Sequence, residues 1–302
     1  MLSSGTTMIQ GKDIIYVNGD SFTEGCDLAD HLYPFFKKYY SLQEIISADS
    51  DIIQANQISA FDQKCNFNKH IEDNLLANEI AQFEINNRWS NKLSEQLGKP
   101  VYNLSSHGGS SMCAIIHRTL ADLHRLQKQG YGITDVLIQV TSPYRYSFFK
   151  ETHDCEEPQR YNGNDYYYHI KSINPISDAD VIDNLSNNEH YEMSIYRWLY
   201  NMYMFKHTIA SITKARLILV DSACYPNSIF GVKPFELLHP DWLTKNKDDY
   251  LLDFKKQLDD EIELSMLDCI DLNEPETVTT GLHFTAKIHD RFAKKISERY
   301  FQ

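Results

Sequence analysis

Two residues far apart in the chain, Ser21 and His283, have side chains and settings that suit nucleophilic and acid–base chemistry. Ser21 stands in NGDSFTEG, directly after a short apolar, β-branched run. Glycines on both sides permit a sharp turn that leaves its hydroxyl exposed at the start of a helix, the setting of a nucleophile. The same position suits a helix N-cap, with Glu24 three residues on completing a capping box, and the two readings are compatible. His283, in GLHFTAKIHDRF, precedes the last helical stretch in a loop without apolar periodicity, where an imidazole can act as general base. The competing reading is an exposed or helix-capping histidine, one of 12 in the chain. His289 lies on the following helix and has no comparable setting. No HExxH or paired-carboxylate spacing surrounds any histidine, so the sequence predicts chemistry without a metal or other cofactor.

Positioning such residues takes strand–turn–helix units, and the unit recurs along the chain. Asp13 to Val17 reads as the first strand, a buried run ending in the turn that holds Ser21. Glu79 to Leu97 has apolar residues mostly three or four apart and Gly98 beyond them, which predicts one long helix. PVYNLSSHGGSS, from Pro100, reads as a second strand running into a small-residue turn, followed by a helix over Met112 to Gln129. Asp135 to Val140 is the third strand, and KARLILVD is the fourth, after a helix over Tyr191 to Lys214. A weak strand around Ser265 to Ile270 leads to a C-terminal helix over Thr285 to Tyr300. This alternation predicts an α/β fold, a three-layer αβα sandwich around a mainly parallel sheet. The expected organisation is one domain over residues 1–302, with insertions at 31–76, 146–190 and 224–247. The turns beyond the strands' carboxyl ends are where such sheets bind ligands.

Composition narrows the partners. A hydrophobic fraction of 42% with 24% charged residues is that of a globular chain, and 12 Gly with 9 Pro excludes a linker-rich one. The net charge of −13 repels phosphate backbones and anionic lipid, so no nucleic acid and no membrane are expected as partners. The N-terminus shows no basic segment followed by an apolar stretch, which predicts a cytoplasmic protein, or a virion component assembled in the cytoplasm. Six cysteines lie far apart with no CxxC pair, the usage of a reduced intracellular chain without disulfides.

NGDSFTEG resembles the first sequence block of the GDSL, or SGNH, hydrolases, in which the serine of GDS is the nucleophile. NLSSHGGSS is similar to the second block, with Asn103 opening it and Gly108 where the family uses a glycine N–H in its oxyanion hole. GLHFTAKIHDRFAKKI resembles the fifth block and puts the family's base on His283. Three blocks in family order lie between residues 13 and 298. The resemblance implies an SGNH/flavodoxin-like fold and a serine esterase with an acyl-enzyme mechanism, in which the backbone amides of Ser21 and Gly108 hold the oxyanion. Asp20, beside the nucleophile, is an auxiliary candidate.

Two family positions depart from the pattern. The third block ends in GxND, whose asparagine donates to the oxyanion; here LIQVTSPYRY puts Pro143 at that place, with neither a side-chain donor nor an N–H. The family's acid lies three residues before the histidine, and that residue is Thr280. Ser142, Tyr144 or Arg145 could supply the missing donor, though a surface ion pair is the competing role for Arg145, and Glu274 or Glu276 could supply the carboxylate. An aspartate at 280 is then expected to raise activity. YNGNDYYYHI, residues 161–170, mixes Tyr with Asn and Asp and suits either a protein-contact loop or sugar binding, where Tyr faces stack and amides meet hydroxyls. The resulting expectation is an ester hydrolase acting on a small ester or acylated carbohydrate. The alternative is an SGNH-fold protein that has lost part of its site and serves as a binding or structural component of a larger assembly.

Overall fold

The computed structural model describes residues 13–25, 27–33, 39–47, 63–64, 74–105, 111–141, 143, 188–221, 249–279 and 283–302. Its centre is a parallel sheet of four strands in the order β2-β1-β3-β4, with β1 at Asp13–Asn18, β2 at Val101–Asn103, β3 at Gly132–Val140 and β4 at Arg216–Asp221. The strands are apolar because the sheet is covered on both faces. Along β1, Ile14 and Tyr16 enter one core while Ile15 and Val17 enter the other, as the two-residue side-chain period requires.

On the first face lie α5 (Met112–Lys128), α6 (Asn188–Ile212) and α7 (Asp249–Glu261), packing Ile115, Leu123, Trp198, Met202, Phe205 and Leu258 onto the sheet. On the second lie α4 (Trp89–Leu97) and α8 (Ala286–Tyr300), where Trp89 meets Phe292 edge-on at 5.6 Å. The architecture is the expected three-layer α/β sandwich. Chain order reverses across β1, between β2 and β3, and this topological switch point is where doubly wound sheets place their ligands. Among the described residues no helix is long and apolar enough to cross a membrane.

Three elements differ from expectation. The single helix over Glu79 to Leu97 is two helices, α3 (Asn74–Asn87) and α4, separated at Arg88, whose backbone is extended at ψ 145°. The break serves two packing surfaces. α3 lays Ile80 and Phe83 against Ala29 and Tyr33, while α4 turns Trp89 and Leu93 into the core under the sheet. The weak strand at Ser265 to Ile270 reduces to one parallel bridge, Asp221 with Ser265, followed by a 3-10 helix over Met266–Cys269. A capping box between Ser265 and Asp268 favours that helical turn over a strand. Helix α7 was not among the expected elements, although Leu251, Phe254 and Leu258 recur at helical spacing and are buried. Of the expected insertions, residues 146–187 and 224–247 lie outside the described residues. The described parts of 31–76 include α2 (Leu42–Ser47) and a 3-10 turn over Asp30–Leu32.

Candidate active site

Beyond the carboxyl end of β1 the chain turns at Gly19 and enters α1 (Ser21–Glu24). A Cβ on Gly19 would lie 2.1 Å from Thr23 Oγ1 and 2.9 Å from Gln139 Cβ, so only glycine lets the turn approach β3 this closely. Asp20 is fully buried and fixes the helix start. Its Oδ1 accepts from the Phe22 N–H at 3.1 Å, its Oδ2 from the Thr141 hydroxyl at 3.1 Å, and its carbonyl from the N–H groups of Thr23 and Glu24. The cap is therefore Asp20, and Ser21 is the first residue of the helix. Asp20, singled out as an auxiliary, ties α1 to the end of β3. On the other flank the Asn103 amide donates to the Thr23 carbonyl at 2.9 Å and to Ser90 Oγ at 2.7 Å, joining β2, α1 and α4.

His283 reaches the same rim from the far end of the sequence. Val278 bridges Tyr40 on one side and Phe284 on the other in antiparallel fashion. The Thr279 N–H donates to the His283 carbonyl at 2.8 Å, and the His283 N–H donates to Thr279 Oγ1 at 3.1 Å. This staple fixes the backbone on both sides of the imidazole. The His283 ring rests on Phe22, the neighbour of Ser21, with centroids 4.9 Å apart, and Phe22 also meets Phe284 at 5.2 Å. His283 Nδ1 lies 2.6 Å from Asp27 Oδ2.

Asp27 is held by a tight turn after α1. Gly25 (φ 85°) and Asp27 (φ 66°) both adopt left-handed backbone, a conformation that glycine enters freely and aspartate tolerates better than most residues. A Cβ on Gly25 would crowd Arg88 Cβ and Leu28 Cδ1 at 2.9 Å. Lys64 pairs with both Asp27 and Asp30, its ammonium 5.3 Å from the Tyr33 ring centroid. Burial pushes the Asp27 carboxyl up, but His283 and Lys64 more than offset this and hold it well below the usual carboxylate range. Burial and the Asp27 charge raise Asp30 to about 6, and burial raises nearby Glu84 to about 7. Lys64 is held firmly protonated: burial opposes its charge, and the two carboxylates outweigh that effect.

The structure brings the backbone of Ser21, the ring of His283 and the carboxylate of Asp27 to one rim of the sheet. Gly108, Ser142, Tyr144, Arg145 and Thr280 lie outside the described residues; Pro143 is described, and sits buried in a turn beyond β3. Glu274 does not turn to the imidazole. Two hydrogen bonds from Arg291, at 2.6 and 2.8 Å, and an ion pair with Lys287 hold it, and those bonds lower its carboxyl to about 2. Glu276 is exposed at φ 59°, with its backbone carbonyl accepting from Thr285 Oγ1. His289 is fully buried, its Nδ1 accepts from the Trp89 N–H at 3.1 Å, and burial lowers it to about 3, which makes it a neutral packing residue.

Asp27 is the residue that sequence reasoning missed. Its only signal is an acidic side chain six positions after Ser21 in a turn opened by Gly25, and nothing in that spacing says which histidine it will meet.

Fold and site together define an α/β protein with a serine at a strand-to-helix turn and an Asp–His pair on the same rim. No family model matches the chain, and no curated protein matches it in sequence. Among solved structures, one similar chain is a carbohydrate esterase family 2 enzyme plus carbohydrate binding domain from Corynascus thermopiles (Myceliophthora fergusii). The two share 12% identity and a TM-score of 0.40 over 97% of this chain and 68% of that one.

Proposed function

We propose that the chain is an SGNH-type ester hydrolase in which Ser21 is the nucleophile, His283 the base and Asp27 the carboxylate that orients the base. The single observation behind this reading is the 2.6 Å contact of His283 Nδ1 with Asp27 on a ring that rests on Phe22, next to Ser21. Asp27 fills the role for which residue 280 carries only a threonine. Bonded through Nδ1–H to a carboxylate, the imidazole has Nε2 as its basic nitrogen. Nε2 takes the Ser21 proton as the oxygen attacks the ester carbonyl, and the Asp27 charge stabilises the imidazolium that results. The tetrahedral oxyanion is held by the backbone N–H groups of Ser21 and Gly108. Collapse expels the alcohol, protonated by the imidazolium, and leaves an acyl-serine. Water, deprotonated by Nε2, then attacks the acyl carbon, and its second collapse releases the acid and restores Ser21. A small O-acyl group, such as an acetyl on a carbohydrate, is the substrate class of this reading, the Tyr-, Asn- and Asp-rich composition of residues 161–170 suiting the sugar.

Pro143 favours a second reading, a binding or structural component of a larger assembly on the same fold, because the third-block donor to the oxyanion is missing and such a loss costs on the order of 10²–10³ in kcat. Hydrolysis of a short-chain chromogenic ester and of acetylated oligosaccharides, by the protein and by Ser21→Ala, separates the two. The hydrolase reading expects turnover that Ser21→Ala abolishes while the melting temperature stays put. Equal rates in the two proteins, or no turnover of either substrate class, favour the binding component.

A further inference from the structure

Lys64 comes from the insertion between β1 and α3, yet its ammonium lies among side chains of the segment that follows Ser21. It bridges Asp27 and Asp30, with side chains 16% and 1% exposed, and is itself only 16% exposed. We propose that Lys64 is a positioning residue of this site: by joining Asp27 to Asp30 it holds the Asp27 carboxylate on His283 Nδ1 and sets the net charge that the imidazole faces. The catalytic consequence rests on the ester-hydrolase reading; the electrostatic one does not.

Charge balance in this largely buried cluster gives Lys64 that role. Without the ammonium, two carboxylates would face each other, and both cannot remain ionised cheaply. Asp30, already raised to about 6, is the group that takes the proton, while Asp27, held low by His283, stays charged. Where Asp30 is protonated with or without the lysine, below about pH 6, loss of the ammonium leaves the imidazolium facing one more net negative charge, which stabilises it. Neutralising Asp30 removes an anion only where that carboxyl is ionised, above about pH 6, and there it leaves Lys64 in place and has the opposite effect. The other ionisable groups around the cluster are Glu24 on α1, Glu84 on α3, Arg88 at the α3–α4 break, His31 and Tyr39 beside Asp30, Glu276 across from Tyr39, and His289 beyond His283. They are present in all the variants below; Lys64 and Asp30 act on Glu84 and Tyr39 as well, and Lys64→Arg, which keeps the cation, separates loss of the charge from change of the side chain.

The test compares Lys64→Met, Lys64→Arg and Asp30→Asn with the unmodified protein. Two readouts are taken from each: the pH profile of kcat/KM on a chromogenic ester, and the titration of the His283 ring protons by NMR. Lys64→Met is expected to lower kcat about tenfold with little change in KM, and to move the acid limb and the ring titration up by about half a pH unit or more, the scale of a unit charge lost a few ångströms away. Asp30→Asn moves both down, and Lys64→Arg leaves them near their starting values. A lysine that merely pins the loop would lower activity without displacing the limb in opposite directions. Limbs and titrations that stay fixed in Lys64→Met and Asp30→Asn, or shift the same way, overturn the proposal; if Lys64→Met fails to fold, Asp30→Asn and Lys64→Arg decide it by the same criterion. Absence of Ser21-dependent hydrolysis refutes the esterase reading alone, since the ring titrations still show whether Lys64 sets the charge at His283.

Discussion

Asp27→Asn is the most direct perturbation of the Asp–His pair. The wild-type carboxylate can only accept, so at 2.6 Å it fixes the proton on Nδ1 and leaves Nε2 to act as base. An asparagine offers either end of its amide. With its oxygen towards Nδ1 the ring stays oriented but loses the charge that stabilises imidazolium, and a hydrogen bond to a charged group is worth about 1.5–3 kcal/mol. That corresponds to roughly 10–150-fold in rate. With its NH2 towards Nδ1 the tautomer inverts, Nε2 carries the proton, and the loss grows towards about 10⁴, the size seen when a serine-protease triad loses its carboxylate in the same way. The expected fall in kcat/KM is therefore about 10–10⁴, carried by kcat with KM within about threefold, because Asp27 acts through the base and not on the ester. Initial rates on a chromogenic ester near pH 7.5, with the melting temperature as folding control, read this out. A folded Asp27→Asn protein within about threefold of full activity, alongside an inactive Ser21→Ala, would refute the role given to Asp27.

The same geometry makes further predictions. Because Nδ1 of His283 already bonds Asp27, Thr280→Asp should bring no gain in ester hydrolysis; a tenfold rise, about 1.4 kcal/mol of barrier, would show that the base lacks an orienting acid. Gly19→Ala should lower stability by about 1–3 kcal/mol, the usual cost of overpacking, since its new methyl meets Thr23 and Gln139; a denaturant titration with an unchanged midpoint would contradict the close approach. Glu84, raised by burial from 4.5 to about 7, keeps a proton in the folded state that the unfolded chain has already lost, so stability should fall as pH rises through that interval. Glu84→Gln should flatten that fall and stabilise the protein at pH 8 by about 1–3 kcal/mol, discounted for solvent screening; identical melting curves for the two proteins from pH 5 to 8 would show that Glu84 is not held protonated.

Local pattern alone determined much of this protein. Apolar runs four to six residues long, each followed by small polar residues, identify strands buried on both faces, and helix-period segments between them leave a parallel α/β sheet as the consistent arrangement. The turn holding Ser21 was legible because part of what shapes it is local, the close approach of Gly19 to Thr23 and the cap of Asp20 on Phe22, while its contacts with Gln139 and Thr141 at the end of β3 were not. Long-range contact decided the rest. One helix became two because Arg88 lets neighbouring stretches serve different surfaces, Tyr33 for the first and Phe292 for the second, and periodicity within the stretch carries no trace of where those surfaces lie. The carboxylate on His283 comes from 256 residues away, and the lysine that holds it from a segment between the two. Glu274 and Glu276 were closer in sequence, but Arg291 and Lys287, each roughly one or two helical turns further along α8 from His283, hold Glu274. A hydrogen bond is decided by which groups the sheet topology delivers to within 3 Å, so sequence could place a serine at the first strand-to-helix turn and a histidine before the last helix, while the carboxylate that meets the imidazole waited for the turn after α1 to fold against the loop before α8.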